Sequence, residues 1–170
     1  GTIIKGTEGT GSLASALIVA QGGKLNAVGT ATEPIIFTSI NDNIEIGQTA
    51  GTNLDETNSG LWGGLIVLGY APASFSGDVD VVQIEGIPAD DTFGLYGGED
   101  ATDNSGVYQY ISIRHGGALI GEGNEINGLT LGGVGSGTVI ENIEVVANVD
   151  DGIEFFGGTV NASNLLVWAQ

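Results

Sequence analysis

Apolar residues come in short runs along this chain, alternating with polar positions and cut off by Gly, Asn and Asp. Alternation of that kind, in runs rich in Val, Ile, Leu, Phe and Tyr, is the mark of strands whose two faces meet different surroundings. It predicts strands near Thr2–Lys5, Ala16–Ala20, Lys24–Val28, Pro34–Ser39, Gly64–Leu68 and Val81–Glu85. Further strands are predicted near Tyr108–Arg114, Gly128–Leu131, Val139–Val146, Gly152–Phe156 and Leu165–Trp168. A helical period is hinted at over Leu13–Val19 alone, a stretch too brief to count as a helix.

The strands repeat. Tyr110-Ile-Ser-Ile-Arg114, Asn142-Ile-Glu-Val-Val146 and Asn164-Leu-Leu-Val-Trp168 share one frame; the last two start 22 residues apart and the first two 32 apart. The shorter spacing suits one coil of a solenoid. The longer suits a coil plus an insertion, for which Gly121-Glu-Gly-Asn-Glu125 is the natural candidate. A second frame sets a glycine pair after a short apolar run in Gly94–Gly98, Gly128–Gly133 and Gly152–Gly158. Asn142 and Asn164 fall at equivalent turns, where they either stack in a hydrogen-bonded ladder or serve simply as turn formers. The architecture implied is all-β, a right-handed parallel β-helix with coils of about 22 residues and loop insertions. It is read as one domain over 1–170, a slice of a longer solenoid, with polar excursions near 41–60, 86–93 and 99–105.

Composition narrows the partners. There are 21 acidic residues against Lys5, Lys24 and Arg114, a net charge of −18. That balance excludes nucleic acid and anionic lipid, and favours divalent cations or plain solubility. With 41% hydrophobic residues a packed core is within reach, so disorder is not expected. The chain has no cysteine, which removes disulfides and zinc–thiolate sites, and no apolar run long enough to span a bilayer. It has no methionine and opens Gly1-Thr-Ile-Ile, as expected of a processed product or an excerpt.

Two later motifs, Asn124-Glu-Ile-Asn-Gly-Leu-Thr-Leu-Gly-Gly-Val-Gly-Ser-Gly-Thr138 and Asp150-Asp-Gly-Ile-Glu-Phe-Phe-Gly-Gly-Thr159, carry a resemblance. Together with Gly1–Gly6 and Thr32–Ser39, they resemble a β-helix module, of the pectin-lyase-like fold, found in large secreted or cell-surface proteins of Bacteroidetes-like bacteria. The resemblance implies an extracellular or cell-surface location and a structural or adhesive role. Apart from the resemblance, the unpaired strand edges expected at the ends of a solenoid slice suit copies stacked end to end into a filament, and a long flat β-helix face with aromatic residues suits surface glycans.

For chemistry, Asp150-Asp151-Gly152 resembles the paired aspartates of polygalacturonases, and paired carboxylates can act as acid and base on a glycosidic bond. The companion Gly-His-Gly and Arg-Ile-Lys elements are missing, and three basic residues cannot line a polyuronate groove. The expectation is therefore that the chain is not an enzyme, with a carbohydrate-binding or polysaccharide-cleaving module as the alternative. No cofactor is required by the sequence; calcium is the one metal it suits, on Asp100 and Asp103 or on Asp150 and Asp151. Glu99, Asn104, Glu154 and the pair Asp78 and Asp80 are weaker additions. Against each cluster stands the alternative of solvated loop carboxylates. His115, beside Arg114, reads as surface decoration. Trp62, Trp168, Tyr96, Phe155 and Phe156 are the rings that suit stacking on sugars or filling a core, and Phe155 is assigned to the core.

Overall fold

The computed structural model describes residues 1–76, 79–121 and 124–169. Fourteen strands are found there: β1 (Ile3–Gly6), β2 (Leu17–Val19), β3 (Leu25–Val28), β4 (Ile35–Ser39), β5 (Leu65–Leu68), β6 (Val82–Gln83) and β7 (Leu95–Tyr96). They continue as β8 (Gly106–Arg114), β9 (Leu119–Gly121), β10 (Asn124–Glu125), β11 (Leu129–Gly132), β12 (Val139–Val146), β13 (Ile153–Phe156) and β14 (Ala162–Trp168). Among the described residues no helix is long and apolar enough to cross a membrane.

The chain is a parallel β-helix built on two sheets. The long sheet runs β1-β4-β8-β12-β14, with β3 also paired to β8; the short sheet runs β13-β11-β5-β2. All pairs in both are parallel. The shared frame of the sequence is the register itself: Ile143 lies opposite Ile111 on one side and Leu165 on the other.

The three longest strands of the long sheet, β8, β12 and β14, each bend at one residue. Tyr110, Asn142 and Asn164 occupy equivalent positions with φ of 51°, 57° and 56°. Asparagine tolerates this left-handed conformation better than most residues because its short polar side chain can bond locally. Here Asn164 Nδ2 donates to Asn142 Oδ1 at 3.2 Å, so the asparagines do form a rung of a ladder. A second left-handed row, His115, Ala147 and Ala169, turns the chain away from the long sheet.

The core fills the space between the sheets. Phe37, Ile111, Ile113, Ile143 and Val145 point in from the long sheet and meet Leu65, Val67, Leu129 and Leu131 from the short one. Each is almost wholly buried, and burying one such side chain stabilises the fold by roughly 1.5–3 kcal/mol. Phe155 takes the inward direction expected of a core residue. It stands in register with Leu131, on the inward row, yet is 46% exposed because β13 is the last rung of its sheet.

Excursions cover the outer faces. The segment between β4 and β5 lies over the long sheet: Lys5 Nζ donates to the carbonyls of Asp42 (2.6 Å) and Ile44 (3.0 Å), and Arg114 Nη1 to that of Thr49 (2.7 Å). The segment between β5 and β8 packs Ile84, Tyr96 and Phe75 onto Ile66 and Leu68 of the short sheet. Within it β7 pairs antiparallel with β6, so the Gly94–Gly98 frame belongs to a hairpin on the outside and not to a coil. β9 and β10 form a small antiparallel ribbon; residues 122 and 123 of the insertion expected there lie outside the described residues.

Candidate functional site

Alternation on the long sheet sends every second side chain outward. Two outward rows therefore run up the helix: Ser112, Glu144 and Leu166, and beside it Arg114, Val146 and Trp168. The covering excursion stops short of them and stands as a wall at Thr49–Ala50 and Leu54–Glu56. Between wall and rows lies a groove of about 310 Å³, lined also by Arg114, His115, Glu144 and Trp168.

Glu144 is the hub of this groove. Its Oε2 accepts from Ser112 Oγ at 2.6 Å and lies 3.6 Å from Arg114 Nη2; its Oε1 accepts from Trp168 Nε1 at 3.3 Å. Arg114 Nε donates in turn to Ser112 Oγ at 2.7 Å. The Trp168 ring, 45% exposed, is thus pinned by its nitrogen and leaves indole surface facing solvent. On the wall, Asp55 accepts from the Thr57 hydroxyl (2.6 Å) and amide (2.9 Å). Those two bonds hold its carboxyl below the usual carboxylate range, against the smaller opposing effect of burial.

His115 corrects the reading as surface decoration. It is 5% exposed, and its Nδ1 lies 2.7 Å from the carbonyl oxygen of Asn58. With backbone bonds from Gly60 N to Gly116 O and Leu61 N to His115 O, it moors the wall to the end of β8. Trp62 is buried at 2% and donates to the Arg114 carbonyl, so it serves the core and the mooring and is shut away from any sugar. Tyr96 and Phe156 pack edge to face over the short sheet.

The acidic residues singled out for calcium lie apart. Asp100 caps its own turn, accepting from the Thr102 amide and hydroxyl, and Asp103 accepts from Ser105 Oγ, both just before β8. Asp150 and Asp151 sit at the opposite corner, before β13, where their carbonyls accept from Asn148 Nδ2. Among the described residues no three Asp, Glu or His side chains gather closely enough to hold a metal ion. Asp78 lies outside the described residues. Near the second pair, Glu154 accepts from Asn127 Nδ2 at 2.7 Å, and burial raises its carboxyl above the ordinary range.

Glu144 escaped sequence reading, although a signal existed. Once the three frames are aligned, Ser112, Glu144, Arg114 and Trp168 all fall on outward positions of neighbouring rungs. The wall gave no such signal, since Thr49 is 65 residues from Arg114.

No curated protein and no solved structure matches the chain significantly. A family model described as a pectate-lyase-like β-helix domain matches residues 1–170. That match overturns the expectation that the chain is no enzyme, because the family is defined by likeness to a polysaccharide-cleaving class. Over its whole length, on fold and on family model alike, the chain belongs to the pectate-lyase-like β-helix domain family.

Proposed function

We propose that this chain is a polysaccharide-engaging β-helix module of a secreted or cell-surface protein, and that the glycan lies in the outer groove of the long sheet. The observation that carries the reading is the pinned Trp168 beside the Glu144 hub. A fixed aromatic face next to an oriented carboxylate is what a sugar ring, apolar on its faces and hydroxylated at its rim, requires. Family membership supports it. Any bond cleavage belongs in the same groove, beside the oriented Glu144 carboxylate.

The test is binding to a panel of soluble polysaccharides by calorimetry, together with release of reducing ends. Trp168→Ala is expected to weaken binding at least tenfold, a loss of about 1.4 kcal/mol or more. Since Trp168 is half-exposed on an outer row, the variant should melt close to the parent. A blank panel, or binding indifferent to Trp168, would remove the groove from consideration.

A second reading rests on the last rung. Along β14, Leu165, Leu166 and Val167 are substantially exposed and the strand's outer edge has no partner among the described strands. Such an edge can take another strand in parallel, from a further coil of the same protein or from a second copy stacked end to end. Sedimentation showing monomers alone at high protein concentration would end that reading.

A further inference from the structure

We infer that the groove takes an uncharged glycan, and not the polyuronate that likeness to pectate lyase suggests. The inference rests on reading the groove as a polysaccharide site, and names the chemical class of its ligand.

A polyuronate carries one carboxylate per sugar and needs cations facing it. The groove offers Arg114 against Asp55, Glu56 and Glu144. Arg114 is already engaged on three sides: Nε on Ser112 Oγ, Nη1 on the Thr49 carbonyl, and Nη2 facing Glu144. His115 offers little more, because its Nδ1 is committed to the Asn58 carbonyl and the residue is buried. Of the other cations, Lys5 is tied to the Asp42 and Ile44 carbonyls beneath the excursion, and Lys24 lies before β3, outside the groove lining. Seen from the groove, every uronate group would approach three carboxylates on a molecule of net charge −18.

A neutral sugar meets the opposite situation. Its hydroxyls are donors, and the groove is rich in acceptors at Glu144, Asp55 and Glu56. Its C–H face matches the indole of Trp168, which loses little further freedom on binding because Nε1 is anchored. The acidity that excludes one class of glycan is thus the hydrogen-bonding capacity that holds the other.

The experiment compares one polymer in two charge states: polygalacturonate oligomers, and the same oligomers after their carboxyl groups are reduced to primary alcohols. Each is titrated into the intact chain by calorimetry, in EDTA and again in calcium chloride. The neutral panel (galactan, xylan and β-glucan oligomers) runs alongside. The expected result is that the reduced form, or a member of the neutral panel, binds at least about tenfold more tightly than polygalacturonate. Glu144→Gln is expected to weaken that binding. Polygalacturonate binding as tightly as the neutral ligands, whether unaided or through calcium bridges to the groove carboxylates, overturns the inference and leaves the groove standing as a glycan site. Failure of every glycan, charged or neutral, overturns both.

Discussion

Glu154 is a carboxyl placed where a charge is unwelcome. Burial on the outer face of β13 raises its pKa; Glu85, Asp151 and Asp150 push the same way, and only the Asn127 amide opposes them. A carboxyl whose folded pKa lies above its unfolded value stabilises the fold while protonated and loses that contribution as pH rises through the folded pKa. The cost therefore falls at neutral pH and is absent below about the ordinary value of 4.5. Glu154→Gln keeps an oxygen for Asn127 and removes the charge. Its urea midpoint is expected to exceed the parent's at neutral pH, with the gap closing below 4.5. A gap that widens on acidification would contradict the assignment.

Strands of this helix depend on how closely neighbouring backbones approach, and β8 shows it best. Gly106, its first residue, has φ of 115° and faces Leu25 of β3 so closely that a Cβ would overlap the Leu25 carbonyl. Gly47 in the excursion has φ of 90° with open space around it. Gly47→Ala should cost only the strain of a left-handed alanine, about 1 kcal/mol. Gly106→Ala adds the backbone clash and should cost about 3 kcal/mol or more. Chemical denaturation of the two variants separates strain from clash; equal losses would mean β3 can give way.

The same closeness explains what was legible in the sequence. All eleven strands expected from alternation are present near their expected places; ten have an inner row in the core and an outer row in a different setting, and the eleventh, β6, packs its Val82 onto the outside of the short sheet. β7, β9 and β10 carry two or three residues each, too few to show a period. Gly94–Gly98 has the composition of a coil strand and the partner of a hairpin strand, and composition does not record partners. The groove was half legible for a similar reason. Its floor repeats with the rungs, whereas its wall arrives from an excursion whose placement depends on Lys5, Arg114 and His115 finding backbone carbonyls far along the chain.

Across the whole molecule the charges mostly repel one another, with 21 acidic residues against three basic ones. Sodium chloride is expected to raise the melting midpoint by screening that repulsion. Calcium chloride at the same ionic strength is expected to do no better, because the acidic pairs at Asp100, Asp103 and at Asp150, Asp151 occupy opposite corners. A further rise with calcium would reveal an ion bound to the folded state alone, since such a ligand must stabilise it.

The hydrogen bonds joining one rung to the next run along the helix axis. Among these rungs, a pull on β14 therefore loads its bonds to β12 alone, not those of all rungs together. The helix would yield like a zip, one rung at a time. The first tooth would release the 22 residues that separate Ile143 from Leu165, the next the 32 that separate Ile111 from Ile143. Deeper in, the stitches through Lys5, Arg114 and His115 bind the wall to several rungs. That places the groove wall among the parts that give way late under tension.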